Sequence, residues 1–240
     1  MSEKMTASEL VARAKNDFDA VHAAGYAEGK LENIDYDRFW DNFQNNGQPT
    51  VYNGAFAHNR FDNETYNPKY PIVCDGADST NARHMFFNNT KITDTKVPID
   101  VTAMTAAGVL TQTFSCFGSG KVSALETINE LRVTPATDYS NTFMNATALK
   151  DITIVGPIIN EETGERLESP ICNSISFAWS GMLSKESILN IYNALSTNIS
   201  TKPTVTFKES AINNNFGGIA SDEWKALEDA KKQWWTFAYA

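Results

Sequence analysis

Behind Thr6 or Ser8, the residues Leu10, Ala14, Phe18 and Val21 recur every three or four positions as far as residue 21. Ser and Thr accept hydrogen bonds from the free N–H groups at a helix start, so the spacing predicts an amphipathic helix over residues 6–29, loosened at Gly25 and Gly29. Val11, Phe18 and Gly25 also fall seven apart, as do Ala14 and Val21. The stripe suits a docking helix or a short parallel coiled coil, and two heptads are too few to separate them. A second helix is predicted over residues 35–44, with Tyr36, Phe39, Trp40 and Phe43 at helical spacing and a breaker cluster at Asn45, Asn46 and Gly47. From residue 49 to 78, Asn, Gly, Pro and aromatic residues mix without a period, which predicts irregular, packed structure.

A different pattern begins near Met85. Phe86, Phe114 and Phe143 lie 28 and 29 residues apart, each in a related segment. Ile92 follows the first, Leu125, Ile128, Leu131 and Val133 the second, and Leu149, Ile152 and Ile154 the third. In the third unit the spacing describes a bend and then a strand with alternate residues inward; the second carries an insertion around residues 118–122. A period of this length matches one turn of a solenoid, in which each unit buries its Phe and Leu or Ile on its neighbours because it cannot bury them alone. Three units are about the minimum for such a stack, so both ends need caps. The rings between Tyr52 and Tyr70 suit the first cap, an outcome preferred over an exposed protein- or glycan-binding surface built from the same rings and asparagines.

The last third supplies the other cap. Ser184 reads as the N-cap of a helix with Ile188, Ile191, Tyr192 and Leu195 on one face. Thr204 to Phe207 read as a strand, a second helix starts at Ser221 with Trp224 and Leu227 inward, and Trp234 to Phe237 form a closing strand. The expected fold class is therefore mixed α/β: a short β-solenoid, of the leucine-rich-repeat-like kind that the resemblance given below implies, with N-terminal helices and a C-terminal α/β cap. The expected divisions are residues 1–47 for docking or oligomerisation through Leu10, Ala14, Phe18 and Val21, 48–84 for an irregular cap, 85–183 for the repeats, and 184–240 for the α/β cap.

Composition narrows the function more than the fold. A net charge of −9 and the absence of any Lys or Arg run argue against nucleic acid as a partner. No segment approaches the roughly 20 apolar residues of a membrane span, and the first residues lack the apolar core of a secretory signal, so synthesis in the cytoplasm without membrane insertion is expected. Cys74, Cys116 and Cys172 are odd in number and widely spaced, which suits buried free thiols better than disulfides or a zinc site.

Candidate chemistry is sparse. His22, His58 and His84 show no metal-ligand or general-base spacing. Residues 118–123, Gly-Ser-Gly-Lys-Val-Ser, resemble part of a phosphate loop, but Ser115 stands where its first glycine belongs and a strand-to-helix setting is not expected. Glu64, Asp75 and Asp78, near Asn63 and Asn81, have no calcium-loop spacing and read as solvated turns. Asn63, Asn88, Asn145 and Asn198 each open an Asn-x-Ser/Thr triplet, read as part of the repeat's asparagine pattern rather than as modified sites. With no nucleophile, base and orienting group to nominate, no enzymatic activity, metal or cofactor is expected.

The order of Phe, Asn or Cys, Leu, Ile and Ile in these units resembles the BspA-type leucine-rich repeat from about Met85 to Ala240. The run from Leu183 to Ile191, with Asn193 to Ser196, residues 204–215, Glu223 to Leu227 and Trp235-Thr236, is similar to the ending of repeat proteins encoded by phages and prophages of gut bacteria. Residues 35–47 are similar to a segment that precedes the repeats in that group. The resemblance implies a virion structural protein, in a fibre, a collar or an external head or tail component, with other virion proteins, a second copy of itself and a host-surface protein or glycan as partners. The alternative is a bacterial repeat module that binds other proteins outside any virion. The polar stretch from Asn160 to Ser169 and the insertion in the second unit depart from the pattern.

Overall fold

The computed structural model describes residues 52, 55–58, 61–76, 82–104, 110–118 and 121–240. The two predicted N-terminal helices, with Leu10, Ala14, Phe18 and Val21, lie outside these residues.

The fold is mixed α/β with open parallel sheets. Strands β1 (Ile72–Gly76), β2 (Ile99–Met104), β3 (Thr127–Arg132) and β4 (Asp151–Val155) pair in parallel in that order. Side chains alternate across a strand: in β2, Ile99 and Val101 are buried while Asp100 and Thr102 reach the surface, and in β4 Ile152 and Ile154 point inward between Asp151 and Thr153. β3 departs from strict alternation. A register shift against β4 between Ile128 and Leu131 lets both residues face the core although they are three apart. Strand β1 lies inside the stretch whose sequence shows no period.

What joins the strands into one core is a row of phenylalanines. Phe56, Phe86, Phe114, Phe143, Phe177 and Phe207 follow one another with ring centroids 5.2, 5.7, 5.7, 4.6 and 6.2 Å apart, each at most 1% exposed. From Phe86 onward the rings are stacked, an arrangement that offset aromatic pairs favour. Ile92, Leu149 and Leu183 are each buried six residues after a phenylalanine of the row, and Leu125 is buried eleven after Phe114, past the insertion. Backbone hydrogen bonds tie each Phe turn to the next: Phe56 N donates to Met85 O, Phe86 N to Thr113 O and Phe114 N to Thr142 O, at 2.8, 2.8 and 3.1 Å. Buried hydroxyls do the same. Thr113 Oγ1 donates to Ala82 O and Thr142 Oγ1 to Leu110 O, so no polar cost is left at these threonines.

The turns are sharp because the backbone goes left-handed on either side of the ring. His84, Gln112 and Asn141 stand two residues before a phenylalanine of the row with φ of 60°, 60° and 56°, and His58, Asn88 and Asn145 stand two residues after one with φ of 57°, 55° and 57°. Side chains other than glycine pay roughly 1–2 kcal/mol there, asparagine least. Asn141→Gly is therefore expected to leave stability within about 0.5 kcal/mol, whereas Asn141→Val, β-branched, costs about 1–2 kcal/mol in urea unfolding.

Beyond β4 the pattern changes. Strands β5 (Ile158–Asn160) and β6 (Glu165–Arg166) form an antiparallel hairpin, and β7 (Ile175–Phe177), β8 (Thr204–Phe207) and β9 (Thr236–Tyr239) form a second parallel sheet in which Phe177 pairs with Phe207. The phenylalanine row thus passes from turns into strands. Beside β4, where a fifth strand would stand, lies helix α1 (Lys185–Ala194), capped by Ser184. Its side chains satisfy the strand edge: Ser187 Oγ accepts from Ile152 N at 3.0 Å and Asn190 Oδ1 from Ile154 N at 2.7 Å. An open edge would leave these donors unpaired. Removing the acceptor with Asn190→Ala should cost about 1–3 kcal/mol in thermal or chemical unfolding, as expected for an orphaned buried donor.

Helices α2 (Glu209–Phe216) and α3 (Asp222–Lys231) complete the C-terminal unit, α2 ending at the left-handed Gly217 and α3 starting on Ser221. At the end of α3, the Lys231 ammonium donates to Tyr192 O and Leu195 O at 2.6 Å each, closing the carbonyl end of α1. It also sits 4.6 Å from the centroid of the Tyr192 ring. Burial pulls the Lys231 pKa down to about 8.

Candidate binding surface

The rings between Tyr52 and Tyr70 are mostly committed to the core. Tyr52, Phe56, Phe61 and Tyr66 are buried, Phe56 meets Phe61 and Tyr66 edge-on at 6.1 and 5.2 Å, and Tyr66 Oη donates to Thr95 O. Desolvation raises the Tyr66 pKa well above its usual value, so this phenol stays neutral. Tyr70, at 40%, is the most exposed of the described tyrosines and phenylalanines of that stretch.

All nine predicted repeat residues, Phe86, Ile92, Phe114, Leu125, Ile128, Phe143, Leu149, Ile152 and Ile154, are buried together with Leu131 and Val133. They build the scaffold and leave the surface to their neighbours. Two surfaces result. The outward face of β2, β3 and β4 is polar and crossed by ion pairs: Arg132 reaches Asp100 at 3.3 Å and also bonds Glu130, which lies 3.8 Å from Arg166. Burial works against the charge on Arg132, but Glu130 and Asp100 outweigh it and hold its pKa above the ordinary arginine value. Next to this face, Thr127, Asn129, Asp151, Thr153, Glu186 and Asn190 edge a shallow cavity of about 350 Å³ against α1.

The second surface runs along the Phe turns. There the residue after each buried ring, or close to it, turns outward: His58 meets Phe87 edge-on at 5.5 Å, and Phe87 meets Phe117 at 5.5 Å. His84 flanks Phe87 at 4.9 Å and bonds the Gln112 side chain through Nε2. The row spans three successive units and is half-buried to exposed. Asn88 links it to a groove of about 540 Å³, its Oδ1 accepting from Phe117 N, with Thr93, Lys121, Val122, Ser123 and Glu126 along the groove. Glu126 pairs with Lys150 at 2.8 Å. Further along, Trp179 and Met182 are about half exposed, as are Ile158 and Ile159 on the β5–β6 hairpin.

The weaker chemical candidates resolve into structure. Lys121 leads into a strand, β3, and its stem lies over Gly118, so the phosphate-loop resemblance has no helix to carry it. Asn63 exchanges hydrogen bonds with Thr93, while the side chains of Asp75 and Asp78 lie outside the described residues. Asn88 and Asn145 hold the left-handed turns, and Asn145 Nδ2 donates to Cys116 O at 2.7 Å. Cys74, Cys116 and Cys172 form no disulfide; Cys74 and Cys116 are buried and Cys172 is partly exposed, a departure from the all-buried expectation. Burial raises the Cys116 pKa and so disfavours its reactive thiolate. Among the described residues no group of three His, Cys, Asp or Glu side chains could hold a metal ion, and no helix is long and apolar enough to cross a membrane. The aromatic row, absent from the predicted site residues, leaves no periodic signal in the sequence: Phe87 and Phe117 sit beside the period without obeying it.

No protein-family model, curated protein or solved structure matches the chain.

Proposed function

We propose that the stacked units form a short β-solenoid of the leucine-rich-repeat type, and that the chain is a non-enzymatic structural component of a phage particle that presents one face outward. The observation that carries the first half is the six-membered phenylalanine row, with turn-to-turn hydrogen bonds and parallel strands advancing one unit at a time. Units that contact only their neighbours in this way build a quasi-one-dimensional stack, a form suited to presenting surface. The second half rests on the likeness of the C-terminal run to the endings of phage-encoded repeat proteins. In this reading residues 1–47 dock the chain onto the particle or onto a second copy, and residues 184–240 close the stack. Mass spectrometry of gradient-purified particles tests it: the chain should be present at a copy number fixed relative to the major capsid protein. Its absence from intact particles contradicts the reading.

A further inference from the structure

The aromatic row and the groove beside it combine two chemistries that few ligands answer at once. His58, Phe87 and Phe117 offer ring surface at 5.5 Å intervals, while Asn88, Thr93, Lys121 and Glu126 offer amide, hydroxyl and charged groups along the adjoining groove. An apolar peptide would cover the Lys121 ammonium and the Asn88 amide nitrogen without offering either an acceptor. A polyanion meets a chain of net charge −9 and, in this groove, the cation of Lys121 together with Glu126, already paired to Lys150. A pyranose ring has an apolar C–H face and an equatorial fringe of hydroxyls, and so answers both chemistries without net charge. The step also matches. Adjacent paired strands advance by roughly 4.8 Å, close to the length of one pyranose in a linear chain, so successive rings would meet successive units.

We propose that this row and groove form a binding site for a linear, neutral polysaccharide. The sugar faces lie against Phe87 and Phe117, and the hydroxyls turn toward Asn88 and Lys121. Asn88 uses Oδ1 on Phe117 N and keeps its Nδ2 donors for the ligand. The inference deepens the outward-facing role proposed above and rests on it only in naming what that face meets.

Native gel electrophoresis of the purified full chain tests it, with dextran, yeast mannan, galactomannan or mixed-linkage β-glucan cast into the gel and alginate as the anionic comparison. Retardation is expected in at least one neutral gel and not in alginate. It should weaken about tenfold in Phe117→Ala, and also in Lys121→Gln, a change at an exposed position that removes the ammonium and keeps the fold. Ile159→Ser, on the β5–β6 hairpin and outside the groove, should migrate like the parent. Unchanged mobility in every neutral gel, retardation by alginate alone, or binding that survives both substitutions overturns the site. The isolated chain reports on the sugar and purified particles report on assembly, so either reading can fail while the other stands.

Discussion

Phe114→Ala is expected to lower the stability of the chain by about 3–5 kcal/mol, read as a fall in the urea midpoint at unchanged slope. Phe114 lies in the middle of the row, 1% exposed, stacked on Phe86 and on Phe143 at 5.7 Å each. Truncation removes its transfer energy and opens a cavity between two rings that hydrogen bonds hold at fixed spacing, so the walls cannot collapse onto it. Phe117→Ala, three residues away and half-buried, is the comparison. It should cost well under half as much, and equal losses would mean that the row is not where the core energy lies.

The second large effect is at the other end. Trp224 is fully buried, stands edge-on to Phe207 at 5.6 Å, and packs on Phe216 and Phe237. Its Nε1 donates to Tyr239 Oη at 2.6 Å, and that hydroxyl bonds Glu228. Trp224 therefore closes the last ring of the row and ties α3 to β9. Trp224→Ala should cost about 3–5 kcal/mol. Trp224→Phe keeps much of the packing but removes the donor, and should cost about 1–2 kcal/mol. Near-ultraviolet circular dichroism would register both, and an Ala variant within 1 kcal/mol of the parent would show that the C-terminal unit does not depend on this ring.

The fold was partly legible because its strongest physical demand, one large ring per unit, leaves a period in the chain. Phe86, Phe114 and Phe143 obey it within a residue, and all of the apolar positions named after them are buried. Phe56, Phe177 and Phe207 belong to the same row but do not show the period, since the intervals there are 30, 34 and 30. The β5–β6 hairpin, which runs into the polar stretch, lengthens the interval before Phe177. Phe177 and Phe207 also lie in strands followed by helices, so the turn-then-strand order that identified the earlier units is inverted. Ser184 and Ser221 marked two helix starts correctly because a capping hydroxyl is a local signal. Helix α2 was not legible: Asn213, Asn214 and Asn215 are poor helix formers, and the helix holds through Ala211, Ile212 and Phe216 in the core. The aromatic row on the surface went unread for a related reason, because exposed rings carry no periodic constraint of their own.

Everything proposed for this chain depends on units that stack in order and in register. A set of double-mutant cycles with Phe→Leu substitutions measures that directly. Phe114→Leu with Phe143→Leu, adjacent in the row, should show a coupling energy of about 0.5–3 kcal/mol, whereas Phe86→Leu with Phe177→Leu, three steps apart, should add within about 0.5 kcal/mol. Coupling that is absent between neighbours, or as strong across three steps as across one, would contradict the stack.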